Sequence, residues 1–484
     1  MFRLATIVGS DNKMMRQMTK LLTFCLALCL SMALASAEGL RVGRAAVDIT
    51  PPVGTPMLTP QRPPFEVKLA GQALDPLQVK AIVLEQGGVK AALVACDLTS
   101  LPLRLSQEAR KLIGETTGVD PGAVIISSTH THTAPQIRLK YLGKADDEAK
   151  RKAAEYVAAL PAKIAESVKA AEADLQEATA YAGYGVEDSV SFNRRYYLRD
   201  GTVAANPFKG EDHRLGEVLR PAGPTDPSVG LVAFKNREGK PLAVMVNFSI
   251  HLDTLGIDQP SADMAAAVSR MLQAVHGEQM LVFWGSGASG NVNHYDLSDP
   301  QRFRREKGVH ETTRIGTIIA AAALRAYPKL EPLRDAPLRV SHETVLCDYH
   351  PEKTAALRAR MKNSTRYFDG EVDVVPDGDR LAFEADVEVI ALGNELAWVG
   401  LPGEMFVELG LNLKNASPFR YTMIHSLANG AIGYVPILKS YPEGSREVLA
   451  TRCAPGTGER LIESATKQLA QLKGVVLPQT VQTP

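Results

Sequence analysis

The sequence predicts an α/β protein of mixed β-sheets flanked by helices, with a metal-competent site built from loops at the C-terminal ends of strands. Three observations carry that expectation. Short β-branched apolar runs alternate with longer Ala-, Glu- and Lys-rich stretches of helical period, the pattern of a layered α/β architecture. Five apolar runs each end in a turn holding a polar group able to meet a metal or a substrate, and strand exits of open α/β sheets are where ligands bind. The 484-residue chain is 45% hydrophobic and 22% charged, which supplies a large core and argues against bulk disorder.

Taken in order, residues 1–37 read as an export leader. Lys13, Arg16 and Lys20 make a basic segment, 21–32 an apolar stretch too short to span a bilayer, and Ala35-Ser36-Ala37 a small-x-small cleavage site. The mature protein is expected to begin near Glu38, to be secreted or periplasmic, and to form one functional domain over 38–484 with no integral membrane segment. Residues 79–85 and 90–97 are β-branched runs joined by Gly87-Gly88, a hairpin signature. Ser106 is expected to cap a helix that Gly118 stops after Thr117, and 123–128 follows as a strand. Helical periodicity covers 145–178, with a kink expected at Pro161. The stretches 192–197 and 220–224 read as ordered loops. Alternation then resumes, with strands at 242–250, 279–284, 395–401 and 421–427 and helices at 262–275, 312–326 and 459–472.

Lys+Arg and Asp+Glu both number 54, so the formal charge is zero. That balance argues against nucleic acid or an anionic membrane as the main partner and leaves a small-molecule or lipid-like substrate. Cys25 and Cys29 fall in the leader. Cys96, Cys347 and Cys453 remain, too few for a disulfide scaffold and without C-x-x-C spacing. Cys96, at the end of an apolar run, is expected to be a buried, inert thiol.

The chemistry-bearing residues sit at the strand exits. His130 and His132 lie at i and i+2 in Ser127-Ser128-Thr129-His130-Thr131-His132-Thr133. In an extended segment those side chains point to opposite faces, so both reach one ion only if the backbone turns there. One imidazole then serves as a metal ligand and the other as a proton donor or oxyanion partner; the competing reading is a hydrogen-bonded structural pair. His251 follows the run Val244-Met245-Val246-Asn247-Phe248-Ser249-Ile250, with Asp253 and Asp263 nearby as acids to orient a ligand imidazole. The glycine-rich stretch from Gly285 to His294 permits close backbone approach to a ligand or anion. It is neither G-x-S-x-G nor a Walker loop, so no serine nucleophile is indicated. Glu404, after Pro402-Gly403, is expected to open a helix, as a dipole-complementing acid or as a carboxylate ligand. Tyr434, between Gly433 and Val435-Pro436, either packs or serves as a phenolate ligand.

These residues, in this order, resemble the neutral/alkaline (non-lysosomal) ceramidases, specifically their zinc-binding N-terminal domain, from about 41 to 472. Gly43-Arg44-Ala45-Ala46-Val47-Asp48-Ile49-Thr50-Pro51-Pro52 is similar to that domain's opening. Thr129-His130-Thr131-His132 resembles the zinc and catalytic His pair, and Asn247-Phe248-Ser249-Ile250-His251 the second zinc His. Pro402-Gly403-Glu404 and Gly433-Tyr434-Val435 resemble the glutamate- and tyrosine-ligand turns, and Asn193-Arg194 the motif whose Arg orients the substrate amide. The resemblance implies Zn²⁺ held by His130, His251, Glu404 and Tyr434, with His132 and Arg194 catalytic. Three features depart from the family pattern. The family's Gly-Asp-Val-Ser becomes Gly290-Asn291-Val292-Asn293, which puts Asn293 in the serine's catalytic place beside Asn291 as a substrate-binding group. Arg446 stands where a second Tyr is found, also on the substrate. The C-terminal β-sandwich domain of the family is expected to be absent.

The resemblance and the residues together imply an exported zinc hydrolase. It would cleave an N-acyl amide, such as that of ceramide or a related N-acyl lipid, with a water whose pKa the metal lowers to about 7. His132 would protonate the leaving group or stabilise the oxyanion, while Arg194 and Asn293 position the substrate. The alternatives are a zinc hydrolase for an ester or a carbohydrate-derived compound, and a non-catalytic metal-stabilised binding protein.

Overall fold

A computed structural model describes residues 39–58, 67–208, 214–297, 306–334, 337–362 and 364–476. The expected leader and its cleavage site lie outside the described residues. β1 (Arg41–Asp48), β2 (Gln78–Gln86) and β3 (Val89–Cys96) form an antiparallel meander, turned between β2 and β3 by Gly87 and Gly88 at positive φ. Helix α1 (Leu103–Thr117) crosses over to β4 (Val124–Ser128), which pairs parallel with β3. Gly118, left-handed at φ 71°, stops α1 as expected. The entry differs, because Pro102 with its fixed φ leads the chain in and α1 starts at Leu103. Ser106 is therefore buried within the helix and does not cap it.

Helix α2 (Asp147–Ala173) is capped by Asp146 and passes through Pro161 without ending. It stops at Ala173, short of 178, because the chain from Gln176 onward is drawn into β5 (Gln176–Val186), where ladder pairing on a buried sheet outweighs Ala-rich helical propensity. The two stretches read as loops contribute to the short strands β6 (Phe192–Asn193), β7 (Arg195–Leu198) and β9 (Val218–Pro221), and β8 (Val203–Ala205) lies between them. Next along the chain are β10 (Ser228–Asn236), β11 (Pro241–Phe248), α3 (Met264–His276), β12 (Leu281–Ser286), β13 (Val292–Asn293), α4 (Val309–Ala326) and β14 (Glu331–Pro332). The last third supplies β15 (Leu338–Asp348), α5 (Pro351–Met361), β16 (Tyr367–Phe368), β17 (Asp373–Asp377), β18 (Arg380–Leu392) and β19 (Leu396–Gly400). It ends with β20 (Glu404–Met405), α6 (Val407–Ala416), β21 (Tyr421–His425), β22 (Tyr434–Val435), α7 (Ser440–Glu443), α8 (Arg446–Ala450) and α9 (Thr457–Lys473). Glu404 thus lies on a two-residue strand, and the helix it was expected to open begins at Val407.

Two large mixed sheets result. The nine-stranded sheet runs β12-β11-β10-β5-β1-β2-β3-β4, with β14 beside β5. The six-stranded sheet runs β16-β17-β18-β19-β21, with β15 beside β18. The pairs β3–β4, β11–β12 and β19–β21 are parallel. Helix α2 covers β1 and β2, α4 covers β5 and β10, and α9 covers β15 and β18. Trp398 of β19 is fully buried in the core of the larger sheet, and its Nε1 donates to Met245 Sδ of β11 at 3.2 Å. All three cysteines of the described residues are buried and unbridged. No helix among the described residues is long and apolar enough to cross a membrane.

The site is positioned by the lacing of five strand exits from the two sheets. Asn429, in the exit of β21, accepts from Ile126 N and donates to Val124 O of β4, both at 2.8 Å. Asn247 of β11 donates to Gly285 O at 3.0 Å and to Ile424 O at 2.7 Å. Ser426 N reaches Ser286 O, and Leu401 N reaches His425 O. The exits of β4, β11, β12, β19 and β21 are therefore held at one end of the joined sheets.

Candidate metal centre

His130 adopts φ 67°, an uncommon conformation for a non-glycine residue. That reversal is the turn required to aim His130 and His132 at one point. Bonds from Thr129 N to Cys96 O and from His130 N to Leu98 O hold it at 2.8 and 3.0 Å. The Nε2 atoms of the two rings come within 3.4 Å. From the exit of β11, His251 brings its Nε2 to 3.0 Å from that of His130. Glu404 Oε2, from the exit of β19, lies 3.5 Å from His130 Nε2 and 3.8 Å from His251 Nε2.

The other nitrogens decide what these contacts mean. His130 Nδ1 lies 2.6 Å from the Thr99 carbonyl, and His251 Nδ1 lies 3.2 Å from the Ser289 carbonyl. A carbonyl only accepts, so each Nδ1 carries its ring's hydrogen and each Nε2 presents a lone pair. Two lone pairs then face each other, together with a carboxylate oxygen that is buried and has no hydrogen-bond partner. Three converging acceptors of this kind repel unless a cation lies among them. Their separations straddle the about 3.4 Å edge of a tetrahedron with metal–ligand bonds of about 2.1 Å. Nitrogen and carboxylate donors in this arrangement suit Zn²⁺, and the group of His130, His132 and His251 could hold a metal ion. His132 differs from the pinned pair: it is half-buried, and no described residue bonds its Nδ1.

Tyr434 arrives by a two-residue parallel ladder that places it directly opposite Glu404, so the two side chains share a face. Thr451 Oγ1 holds the Tyr434 carbonyl at 2.5 Å. Arg194, between β6 and β7, has its Cζ 5.4 Å from the centre of the Tyr434 ring and its Nη1 3.4 Å from His251 Nε2. Nη2 of Arg194 donates to Gly290 O at 2.6 Å, and its Nε donates to Glu447 Oε1 at 2.8 Å.

Burial lowers His132 to about 3 and His251 well below the ordinary imidazole value, the latter helped by the Arg194 charge. Both rings are therefore neutral at physiological pH. Burial works against a charged Glu404, but the closeness of His130 and the Arg194 charge hold it at about 2. Burial pushes Tyr434 up to about 12, and the Glu404 charge adds to the effect. Burial also opposes the Arg194 charge, but Tyr434, Glu447 and Glu404 keep it protonated.

The structure thus brings together His130, His132, His251, Glu404, Tyr434 and Arg194. It leaves the side chains of Asn291, Asn293 and Arg446 outside this group of contacts. Asn291 Oδ1 accepts from Val407 N and its Nδ2 donates to Glu408 Oε2, both at 2.8 Å, so this amide tethers the start of α6. Asn293 Nδ2 donates to Asn206 Oδ1 at 2.6 Å and its Oδ1 accepts from Tyr295 N at 3.1 Å. Arg446 is exposed at the first position of α8, near enough to Tyr434 for its charge to be felt there.

Two expectations about supporting groups change. His251 is oriented by the Ser289 carbonyl and not by an acid; Asp253 pairs with Lys307 at 2.8 Å, and Asp263 caps α3 and binds Thr254. The glycines after β12 serve packing instead of anion binding. A Cβ on Gly290 would lie 2.3 Å from Glu404 O and one on Gly287 2.3 Å from Ser249 Oγ, while their N–H groups bond Met405 O and Phe248 O. The residue that sequence reasoning missed is Glu447. Its only signal is that Glu443 and Glu447, on the separate short helices α7 and α8, stand four positions apart against the consecutive Arg194 and Arg195.

No protein-family model matches the chain, and no curated protein matches it significantly. Among solved structures it is similar to neutral ceramidase from Pseudomonas aeruginosa, at 17% identity and a TM-score of 0.68, over 92% of this chain and 76% of that one. It is similar also to a ceramidase complexed with C2, at 18% identity and a TM-score of 0.68, over 92% and 77% of the two chains. At such identity the likeness establishes a shared fold.

Proposed function

We propose that this protein is a zinc-dependent hydrolase of the ceramidase type, acting on the carboxamide of ceramide or of a related N-acyl lipid. The observation that carries the reading is the pair of pinned imidazoles, whose Nε2 lone pairs meet beside the unpartnered Glu404 oxygen. The shared fold with ceramidase structures supports the substrate class.

His130, His251, Glu404 and Tyr434 would hold Zn²⁺. The ion, when bound, supplies a Lewis acid that polarises a carbonyl and brings the acidity of water close to neutral pH. His132, whose Nδ1 no described residue bonds, is the group able to take a proton from water and return it to the leaving nitrogen. Arg194 Nη1 faces the cluster from a rigid guanidinium and is placed to receive the acyl oxygen. The amides of Asn291 and Asn293 are spent on Glu408, Val407, Asn206 and Tyr295, so in this reading they hold the walls of the site. The leader read from the sequence places this activity outside the cytoplasm, which N-terminal sequencing of the processed protein would check.

The test is turnover of ceramide, N-acyl amino sugars and simple esters by zinc-loaded protein. Amide cleavage that a chelator abolishes and zinc restores is the expected result. Zinc at one per chain with no turnover of any substrate would instead favour a metal-stabilised binding protein.

A further inference from the structure

We propose that Glu447 is a positioning residue of the centre, holding the Arg194 guanidinium so that one edge, at Nη1, faces the imidazoles. The inference rests on the reading above, in which Arg194 receives the acyl oxygen. A guanidinium presents its N–H groups in three fixed directions. The Nε direction ends on Glu447 Oε1 at 2.8 Å, and the Nη2 direction on Gly290 O at 2.6 Å. The guanidinium Cζ lies 5.4 Å from the centre of the Tyr434 ring. Of the three nitrogens Nη1 is the one bonded to neither Glu447 nor Gly290, and it lies 3.4 Å from His251 Nε2.

The pair is sealed from water, with the Arg194 and Glu447 side chains 3% and 0% exposed. Glu447 therefore also supplies the counter-charge without which a buried guanidinium would swing toward another acceptor or toward solvent. The same segment carries a second task. Glu447 sits on α8, and Thr451, just past the end of that helix, grips the Tyr434 carbonyl. One short stretch thus sets both the Arg194 head and the Tyr434 backbone.

A neighbouring ion pair makes the inference testable. Arg195 bonds Glu443 Oε2 at 3.1 Å, and Tyr197 Oη donates to Glu443 Oε1 at 2.5 Å. Glu443, on the adjoining helix α7, docks the neighbouring stretch without touching Arg194. If docking alone mattered, breaking either pair would do equal harm.

The experiment compares Glu447→Gln, Glu447→Asp, Arg194→Ala, the double variant Glu447→Gln/Arg194→Ala, and Glu443→Gln, all zinc-loaded. We expect Glu447→Gln to lower kcat by about 10²-fold, the size of a lost oxyanion donor, with KM little changed and zinc content as in wild type. Glu447→Asp should recover part of the loss, and Glu447→Gln should add nothing in the Arg194→Ala background. Additive losses in the double variant, an unaffected Glu447→Gln, or a Glu443→Gln as slow as Glu447→Gln would each overturn the inference while leaving the hydrolase reading intact. A wild type that turns over nothing overturns both. A readout independent of activity is thermal unfolding of the metal-free protein, in which both single variants should lower Tm and the double variant should unfold no earlier than the worse of them. Additive Tm losses there would show that the two side chains do not act as a pair.

Discussion

Replacing His251 with Ala should sharply weaken zinc binding at the metal centre, whereas replacing His132 should leave it nearly unchanged. His251 is committed: its Nδ1 is tied to the Ser289 carbonyl, and its Nε2 faces His130 Nε2 at 3.0 Å and Glu404 Oε2 at 3.8 Å. A closed four-ligand zinc site carries roughly 10–16 kcal/mol of apparent binding free energy. Shared evenly, that is about 2.5–4 kcal/mol per ligand, or a ~10²–10³-fold loss of affinity at about 1.4 kcal/mol per decade. The assay is competition with a chromophoric chelator, paired with unfolding at fixed free zinc. At about 100 times its own Kd, zinc stabilises wild type by about 2.7 kcal/mol, and a Kd raised ~10²-fold leaves about 0.4 kcal/mol at the same concentration. His132→Ala removes a half-buried ring with no bonded Nδ1, so affinity should be nearly kept while the rate falls by about 10²–10⁴-fold. Wild-type zinc affinity in His251→Ala would refute the tautomer argument. An equal loss in both variants would make His132 a ligand and refute the division of roles.

The geometry sets three further outcomes. Gly290→Ala puts a Cβ 2.3 Å from Glu404 O; the Glu404 turn must move, and a displacement of about 1 Å should lower the rate by on the order of 10²-fold, readable beside zinc affinity. Asn291→Ala leaves Val407 N and Glu408 Oε2 without their bonds, and should lower the free energy of unfolding by about 1–3 kcal/mol with zinc content unchanged. The third concerns pH. Glu388, fully buried, meets Arg110 at 3.2 Å, and burial raises it to about 7 from the ordinary 4.5. A carboxyl that keeps its proton longer when folded destabilises the fold as pH rises between those values, by roughly 3 kcal/mol at about 1.36 kcal/mol per unit. His342, raised chiefly by its bond to Asp386, adds a loss in the same direction above its ordinary 6.5. Asp386, held at about 2 against burial by His342, Thr344 and Arg110, keeps its contribution until strong acid. Urea unfolding from pH 5 to 8 should therefore show falling stability, flattened in Glu388→Gln. Parallel curves for the two proteins would remove Glu388 from the explanation.

Features that depend on neighbours along the chain were legible in the order of its residues. Alternation of apolar runs and helical stretches pointed to the α/β class, because burial of one face imposes a period on local sequence. The hairpin at Gly87-Gly88 and the stop at Gly118 could be read because left-handed backbone favours glycine. The strand exits at His130, His251, Glu404 and Tyr434 stood out because a polar group directly after an apolar run is a local signal. Packing in three dimensions determined the remainder. Ala-rich residues from Gln176 became a strand because β10 pairs with them. The expected acid beside His251 proved to be a backbone carbonyl of Ser289, which carries no side-chain signature. Glu447 meets Arg194 across 253 positions of sequence, and no periodicity reports such a contact. Asn291 and Asn293, expected at the substrate, bond Glu408, Val407, Asn206 and Tyr295, contacts that the local order of residues does not report. Which acceptors are left facing one another, and therefore need a cation, depends on the three-dimensional count of hydrogen bonds already made.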